Sequence, residues 1–153
     1  MPTELDHADV LSGFDLARLS LTPRQAQVWA LRAKGLSQTQ IAELWGTSRA
    51  NVCMLEKAAK SKIEKSRETV AFDEQLRAPV RLLCRPGELL LDLPPRVYRA
   101  ADHAGIKVRA DGPMVVQQFL SEAPGCVHNH RLVQAVWVTI TVHGQLYMRP
   151  ARA

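Results

Sequence analysis

Residues 38–57 read QTQIAELWGTSRANVCMLEK, and the order of apolar, small and glycine residues in this stretch decides the fold. Ile41 and Trp45 stand four apart, which puts them on one face of a short helix. Ala42 falls where a following helix would pack closest, and a side chain larger than a methyl group would clash there. Gly46 comes at the C-terminal end, where the chain must take a left-handed turn. Ser48 then offers an N-cap for a new helix, and Val52 and Leu55 face back onto the first one. This spacing predicts a helix-turn-helix. In such units the N-terminal part of the second helix enters the DNA major groove.

Working outward, Thr22 is a good N-cap, Pro23 suits the first helical position, and Gln25 can reach back to the Thr22 amide. A helix is expected from Pro23 to about Lys34, ended by Gly35. Ser37 and Gln40 repeat that grammar, so the next helix runs from there to Gly46. Residues 1–20 read as a loosely held arm. Within it, DHADVLSGFDLARL suggests a short amphipathic helix interrupted by Gly13.

The third helix starts at Ser48 or Arg49, and no glycine or proline recurs until Pro79. Continuous to Ala78, it would span about 45 Å. Either it breaks near Thr69, or its second half supports another element or a partner chain. Val52, Leu55, Ala59 and Ile63 form a core stripe, with Val70 one heptad beyond Ile63. Ser66 and Asp73 spoil a clean coiled-coil seam.

Past Pro79 the character changes. VRLLC (80–84) and ELLLDL (88–93) read as short strands around the Arg85-Pro86-Gly87 turn. Pro95 to Ala104 and Pro113 to Ala123 read as helices. LVQAVWVTITVH (132–143) reads as the strongest strand, with Thr139 and Thr141 on one face and Val138, Ile140 and Val142 on the other. Gly144 turns it toward QLYM (145–148), a hairpin. The expected fold class is α+β. An arm (1–20) precedes a tri-helical helix-turn-helix domain with a long third helix (21–78). A small α+β domain (79–153) follows, for regulation or dimerisation.

The chain of 153 residues is 46% hydrophobic, enough for one ordinary domain or two small ones. Its net charge of +5 is unevenly spread. Residues 1–20 carry one Lys/Arg against four acids, residues 21–67 nine against three, and residues 68–153 ten against eight. The excess sits on the helix-turn-helix, as a polyanionic partner requires. Cys53, Cys84 and Cys126 are widely separated and odd in number, which is no disulfide framework; a reducing cytoplasm is expected. No basic flank and apolar core opens the chain, so no signal peptide is expected, and no apolar run suits a bilayer.

With Val52 and Leu55 inward, the outward positions of the third helix are Arg49, Ala50, Cys53, Met54 and Lys57. Arg49 can donate two hydrogen bonds to guanine or meet a phosphate, and Lys57 can do either. Ala50 and Met54 can meet a thymine methyl group. Asn51 borders this surface and can hold adenine or cap locally. Ser37, Gln38, Thr47 and Ser48 suit DNA backbone contacts, which set register without carrying sequence information. Lys60, Lys62, Lys65 and Arg67 extend the charge without sharing one face, so some belong on phosphates and some in solvent.

These residues carry a resemblance. LTxxQ at Leu21–Gln25, LRAKGLSQ at Leu31–Gln38, IAELWGTSRANV at Ile41–Val52 and the LEK…IEK…R series at Leu55–Arg67 resemble the start of the Tfx family of archaeal transcriptional regulators. The layout after Pro79, with the helix and turn over Pro95–Val108, is similar too. The first 20 residues and the carboxyl-terminal strand pair depart from the pattern. The resemblance implies a transcription factor bound to double-stranded DNA near a promoter. It also implies kinship in shape with the tri-helical readers of LuxR type and of sigma-factor region four.

Other constellations carry less. Cys126-Val-His128-Asn-His130 packs three metal-ligating side chains into five residues, and His103 or His143 would make four. No paired CxxC accompanies them, so a His-rich surface loop is the plainer reading and no metal or cofactor is expected. No GxSxG elbow and no glycine-rich phosphate loop occurs, so no catalytic residue is assigned and the chain reads as a non-enzyme. Cys53 reads as a small groove-facing residue, Trp29 and Trp45 as core anchors, and Trp137 as a packed strand residue. The expected function is sequence-specific regulation of transcription. A homodimer is the expected form, because one such reader buries limited surface. A small-molecule effector or the transcription machinery are further partners to expect. The competing readings are a ligand-sensing or protein-interaction module whose helix-turn-helix is only a scaffold, and an enzyme in the carboxyl-terminal domain.

Overall fold

A computed structural model of the chain describes residues 9–152. The chain divides into two compact units, Met1–Val70 and Ala71–Ala153.

In the first unit, α1 (Pro23–Ala33) and α2 (Gln38–Trp45) precede α3 (Arg49–Arg77), whose last turns belong to the second unit. Both capping boxes form. Thr22 Oγ1 accepts from the Gln25 amide while Gln25 Oε1 accepts from the Thr22 amide, and Ser37 and Gln40 do the same for α2. Four amide donors are thereby satisfied that helix starts otherwise leave open. Gly46 takes φ +62°, and its turn directs the chain into α3. Val28, Leu31, Ile41, Ala42 and Val52 form a sealed core, with Val10, Leu36, Trp45 and Leu55 half-buried against it. Trp45 thus edges the core, and Arg24 lies 4.4 Å over its ring. Trp29 is half-buried and lies outside that cluster.

The arm differs from the amphipathic helix expected of it. Asp9–Leu11 and Leu16–Arg18 are single 3₁₀ turns separated by Gly13 at φ +87°. Val10 nevertheless packs on the core, so this part of the arm is docked. Residues 6–8 of the expected helix lie outside the described residues. No break occurs near Thr69: α3 is one helix of 29 residues. Its stripe holds, with Val52 and Ala59 sealed and Leu55 and Ile63 half-buried.

In the second unit, β1 (Val80–Cys84), β4 (Val136–Ile140) and β5 (Leu146–Pro150) form an antiparallel sheet in the order β1-β4-β5. Cys84, Val136, Val138, Ile140, Leu146 and Met148 line its inner face. Against them lie Leu93, Val97 and Ala101 of α4 (Leu93–His103) and Val115, Phe119 and Ala123 at α5 (Gly112–Glu122). The outer face carries Arg81, Trp137, Thr139 and Tyr147. There the Tyr147 hydroxyl donates to the Glu74 carboxylate at the end of α3. Burial first, and then this carboxylate, push the Tyr147 hydroxyl up to about 12.

Two strand expectations fail here. ELLLDL is not a strand: Leu89 makes a lone bridge to Arg131, Leu90–Asp92 is a 3₁₀ turn, and α4 already begins at Leu93. Pro94 and Pro95 lock φ at the helical value and lack the N–H that a ladder needs, so they favour a helix start. Leu90 and Leu93 are both buried, a helical three-residue spacing. The run 132–143 is not one strand either. Arg131–Leu132 is β3, paired with β2 (Val127–His128), and the chain then breaks at Val133–Ala135 before β4. Val142, expected on one face with Val138 and Ile140, is exposed while they are buried. Gly144 turns β4 into β5 at φ +77°, where an added Cβ would stand 1.9 Å from the Lys107 carbonyl oxygen.

Candidate nucleic-acid interface

The α2–α3 corner is assembled by its own side chains. Ser48 Oγ accepts from the Asn51 amide at 3.1 Å and starts α3. Asn51 Nδ2 donates to Thr47 Oγ1 at 3.0 Å, so its amide group braces the turn. Of the two roles open to Asn51, the local one is occupied. Glu56 joins all three helices: Arg32 Nε donates to its Oε1 at 3.1 Å and Gln38 Nε2 to its Oε2 at 2.7 Å. The Gln38 bond, with smaller help from Arg32, holds the Glu56 carboxyl below the usual glutamate range, against the opposing effect of burial, which ranks second to that bond. Gln38, expected to meet the DNA backbone, is thus used to tie α2 to α3. Arg32 also donates through Nη1 to the Leu36 carbonyl at 2.8 Å, fixing the α1–α2 turn.

This bracing sets which face of α3 is outward. Val52 is sealed and Leu55 half-buried, whereas Arg49, Ala50, Asn51, Met54, Lys57 and Lys60 are exposed. Met54 is 71% exposed, an unusual position for a large apolar side chain. Cys53 is half-buried between the two faces. Ser37 and Ser48 are exposed and Thr47 half-buried. Among the described residues, Arg49 and Lys57 form no ion pair. The surface therefore offers two uncommitted cations flanking an apolar strip of Ala50 and Met54. Long donors beside methyl-sized apolar groups match the mixed edge of base pairs in the major groove. Further along, Lys60, Lys65 and Arg67 are exposed and Lys62 is half-buried. Sequence reading missed the role of Glu56 and the Arg24–Trp45 stack, because both depend on how α1 crosses its neighbours and no local spacing encodes that.

The His-rich segment has a different explanation. Asn129 and His130 both have positive φ, 46° and 60°, and make the two-residue turn of the β2–β3 hairpin. Cys126 is buried, and burial raises its thiol pKa, while His128 and His130 are exposed. Among the described residues, no three His, Cys, Asp or Glu side chains gather in a metal-binding group. Likewise, among them no helix is long and apolar enough to cross a membrane.

The comparisons with known proteins agree in direction. A family profile described as "DNA_binding protein, TFX, C-term" matches residues 66–148. That range takes in β4 and the start of β5 as far as Met148, so the strand pair falls within the family pattern up to that residue. The chain is 36% identical over 151 residues to a candidate transcriptional regulatory protein of Haloarcula marismortui, covering 97% of this chain and 95% of that one. It is 40% identical over 104 residues to another such protein from Thermococcus kodakarensis, covering 68% and 69%. Against the DNA-binding protein Tfx of Methanothermobacter thermautotrophicus the identity is 38% over 116 residues, covering 76% and 80%. With half of the chain under the family profile and a full-length relative above 30% identity, this chain belongs to the Tfx family of DNA-binding proteins.

Proposed function

We propose that this chain is a transcriptional regulator that reads DNA by laying the first turns of α3 in the major groove. The observation that carries the reading is the outward face of α3, where the unpaired cations Arg49 and Lys57 flank exposed Ala50 and Met54. Arg49 reads a guanine edge, and Ala50 and Met54 contact thymine methyl groups. Ser37, Thr47 and Ser48 with Lys60 hold phosphates. Family membership supports DNA as the partner, and the net positive charge of residues 21–67 supports the chosen face. Two copies bind two half-sites, which offsets the limited surface that one reader buries. Selection of bound duplexes from random DNA, followed by binding at several salt concentrations, tests the reading. A consensus should emerge, and log K should fall linearly with log salt by about 0.9 per phosphate contact. Failure to enrich any sequence would remove the sequence-specific part. Sedimentation as a monomer both on and off DNA would remove the paired form.

A further inference from the structure

The second unit holds a groove between the end of α3 and the outer face of the sheet. Phe72, Gln75, Leu76 and Ala78 form one wall, and Arg81, Trp137 and Thr139 the other. Its volume of about 330 Å³ is at the small end of the range for small-molecule sites, roughly 300–1,000 Å³. Phe72 is 62% and Leu76 69% exposed, and both line the same groove as Trp137.

Two polar groups in it, buried Thr139 and exposed Arg81, have no side-chain hydrogen bond or ion pair among the described residues. Thr139 is buried, at 5% exposure, yet among the described residues its side chain makes no hydrogen bond. A buried hydroxyl left without a partner is destabilising, so such groups are rare and call for a cause. Arg81 is the direct cross-strand neighbour of Thr139. Its guanidinium lies 4.0 Å over the Trp137 ring, and among the described residues it has no carboxylate partner. A guanidinium stacked on a ring keeps its N–H edge free, and that edge fits a carboxylate with two parallel hydrogen bonds. Gln75 donates to the Ala71 carbonyl, which leaves its own carbonyl oxygen as an acceptor.

The charge balance narrows the ligand. Among the described residues Arg81 is the one cation that lines the groove, and Glu74 stands one residue from the Gln75 wall. A single guanidinium suits a single negative charge, whereas a phosphate dianion would meet Glu74 with too little compensation. The apolar walls suit a flat hydrocarbon body. We propose that this groove binds a small aromatic carboxylic acid, its carboxylate on Arg81 and Thr139 and its ring against Phe72, Leu76 and the rim of Trp137. The site does not depend on the DNA reading, and its test reads the groove directly.

The full chain, labelled with ¹⁵N, would be titrated with benzoate, phenylacetate, indole-3-acetate and 4-phenylbutyrate, and with the uncharged amide of each. The Trp137 indole N–H signal is identified by its loss in Trp137→Phe. At least one acid should move that signal saturably, with Kd of about 1 mM or tighter, and should leave the Trp29 and Trp45 signals in place. Its amide should bind at least about tenfold more weakly. Arg81→Gln should weaken the acid by a similar factor and leave the amide unchanged, and Thr139→Val should weaken the acid several-fold. No saturable shift with any acid, or equal binding of acid and amide, would overturn the proposal. The acid–amide comparison uses the unaltered chain, so it decides even if Arg81→Gln or Thr139→Val misfolds.

Discussion

Glu56 is the residue on which the first unit turns, since it receives donors from α1 and α2 while sitting on α3. Its carboxyl is held below the ordinary glutamate value of 4.5. A carboxyl depressed in the folded state contributes stability above its unfolded pKa and loses it as pH falls through the folded pKa. Glu56→Gln should therefore lower stability by on the order of 1 kcal/mol at neutral pH, a modest figure because Arg32 is well solvated. The gap between the two proteins should narrow as pH falls below 4.5. Urea unfolding at several pH values checks both points, and a gap constant with pH would remove Glu56 as the link. The three cysteines give a second residue-level test. Burial pushes the Cys84 thiol up to about 11 and also raises that of Cys126, so both resist alkylation at neutral pH. Cys53, half-buried on α3, should be the thiol that iodoacetamide modifies in the folded chain. A bound operator should slow that reaction, as mass spectrometry of the alkylated peptides would show.

Among the elements, α1 and α2 were legible to within a residue or two because their ends are written in side chains. Thr22 and Ser37 begin them, and Gly46 closes α2 in a left-handed conformation. Ser37→Ala should cost about 1 kcal/mol, and Ser37→Asp, which keeps the capping acceptor, should restore most of it. Thermal unfolding of the two variants measures this, and equal stability of both would show that the cap contributes little. The second unit was less legible. Glu88–Leu93 alternates well enough for a strand, but it is Leu90 and Leu93 that are buried, at helical spacing ahead of Pro94 and Pro95. The run 132–143 is rich in β-branched residues, yet it serves two sheets, and the break at Val133–Ala135 has no glycine or proline to announce it. The groove at Arg81 and Trp137 escaped notice because it joins residues more than fifty positions apart.

For the whole molecule, charge and family membership agree. The net positive charge of residues 21–67 lies on the unit that carries the outward face of α3, and the family profile covers residues 66–148. The outward residues of α3 were readable from one helical period, because Val52 and Leu55 must be covered whatever the partner. Which of those residues meets a base is a property of the complex. The most direct measurement is the affinity of the chain, of Arg49→Ala and of Lys65→Ala for a selected operator and its single-base-pair variants. Arg49→Ala should weaken operator binding by about 1–3 kcal/mol and lose discrimination at one position, while Lys65→Ala should weaken all sequences alike and flatten the salt dependence. Arg49→Ala that weakens every sequence equally, as Lys65→Ala does, would contradict base reading by the first turn of α3.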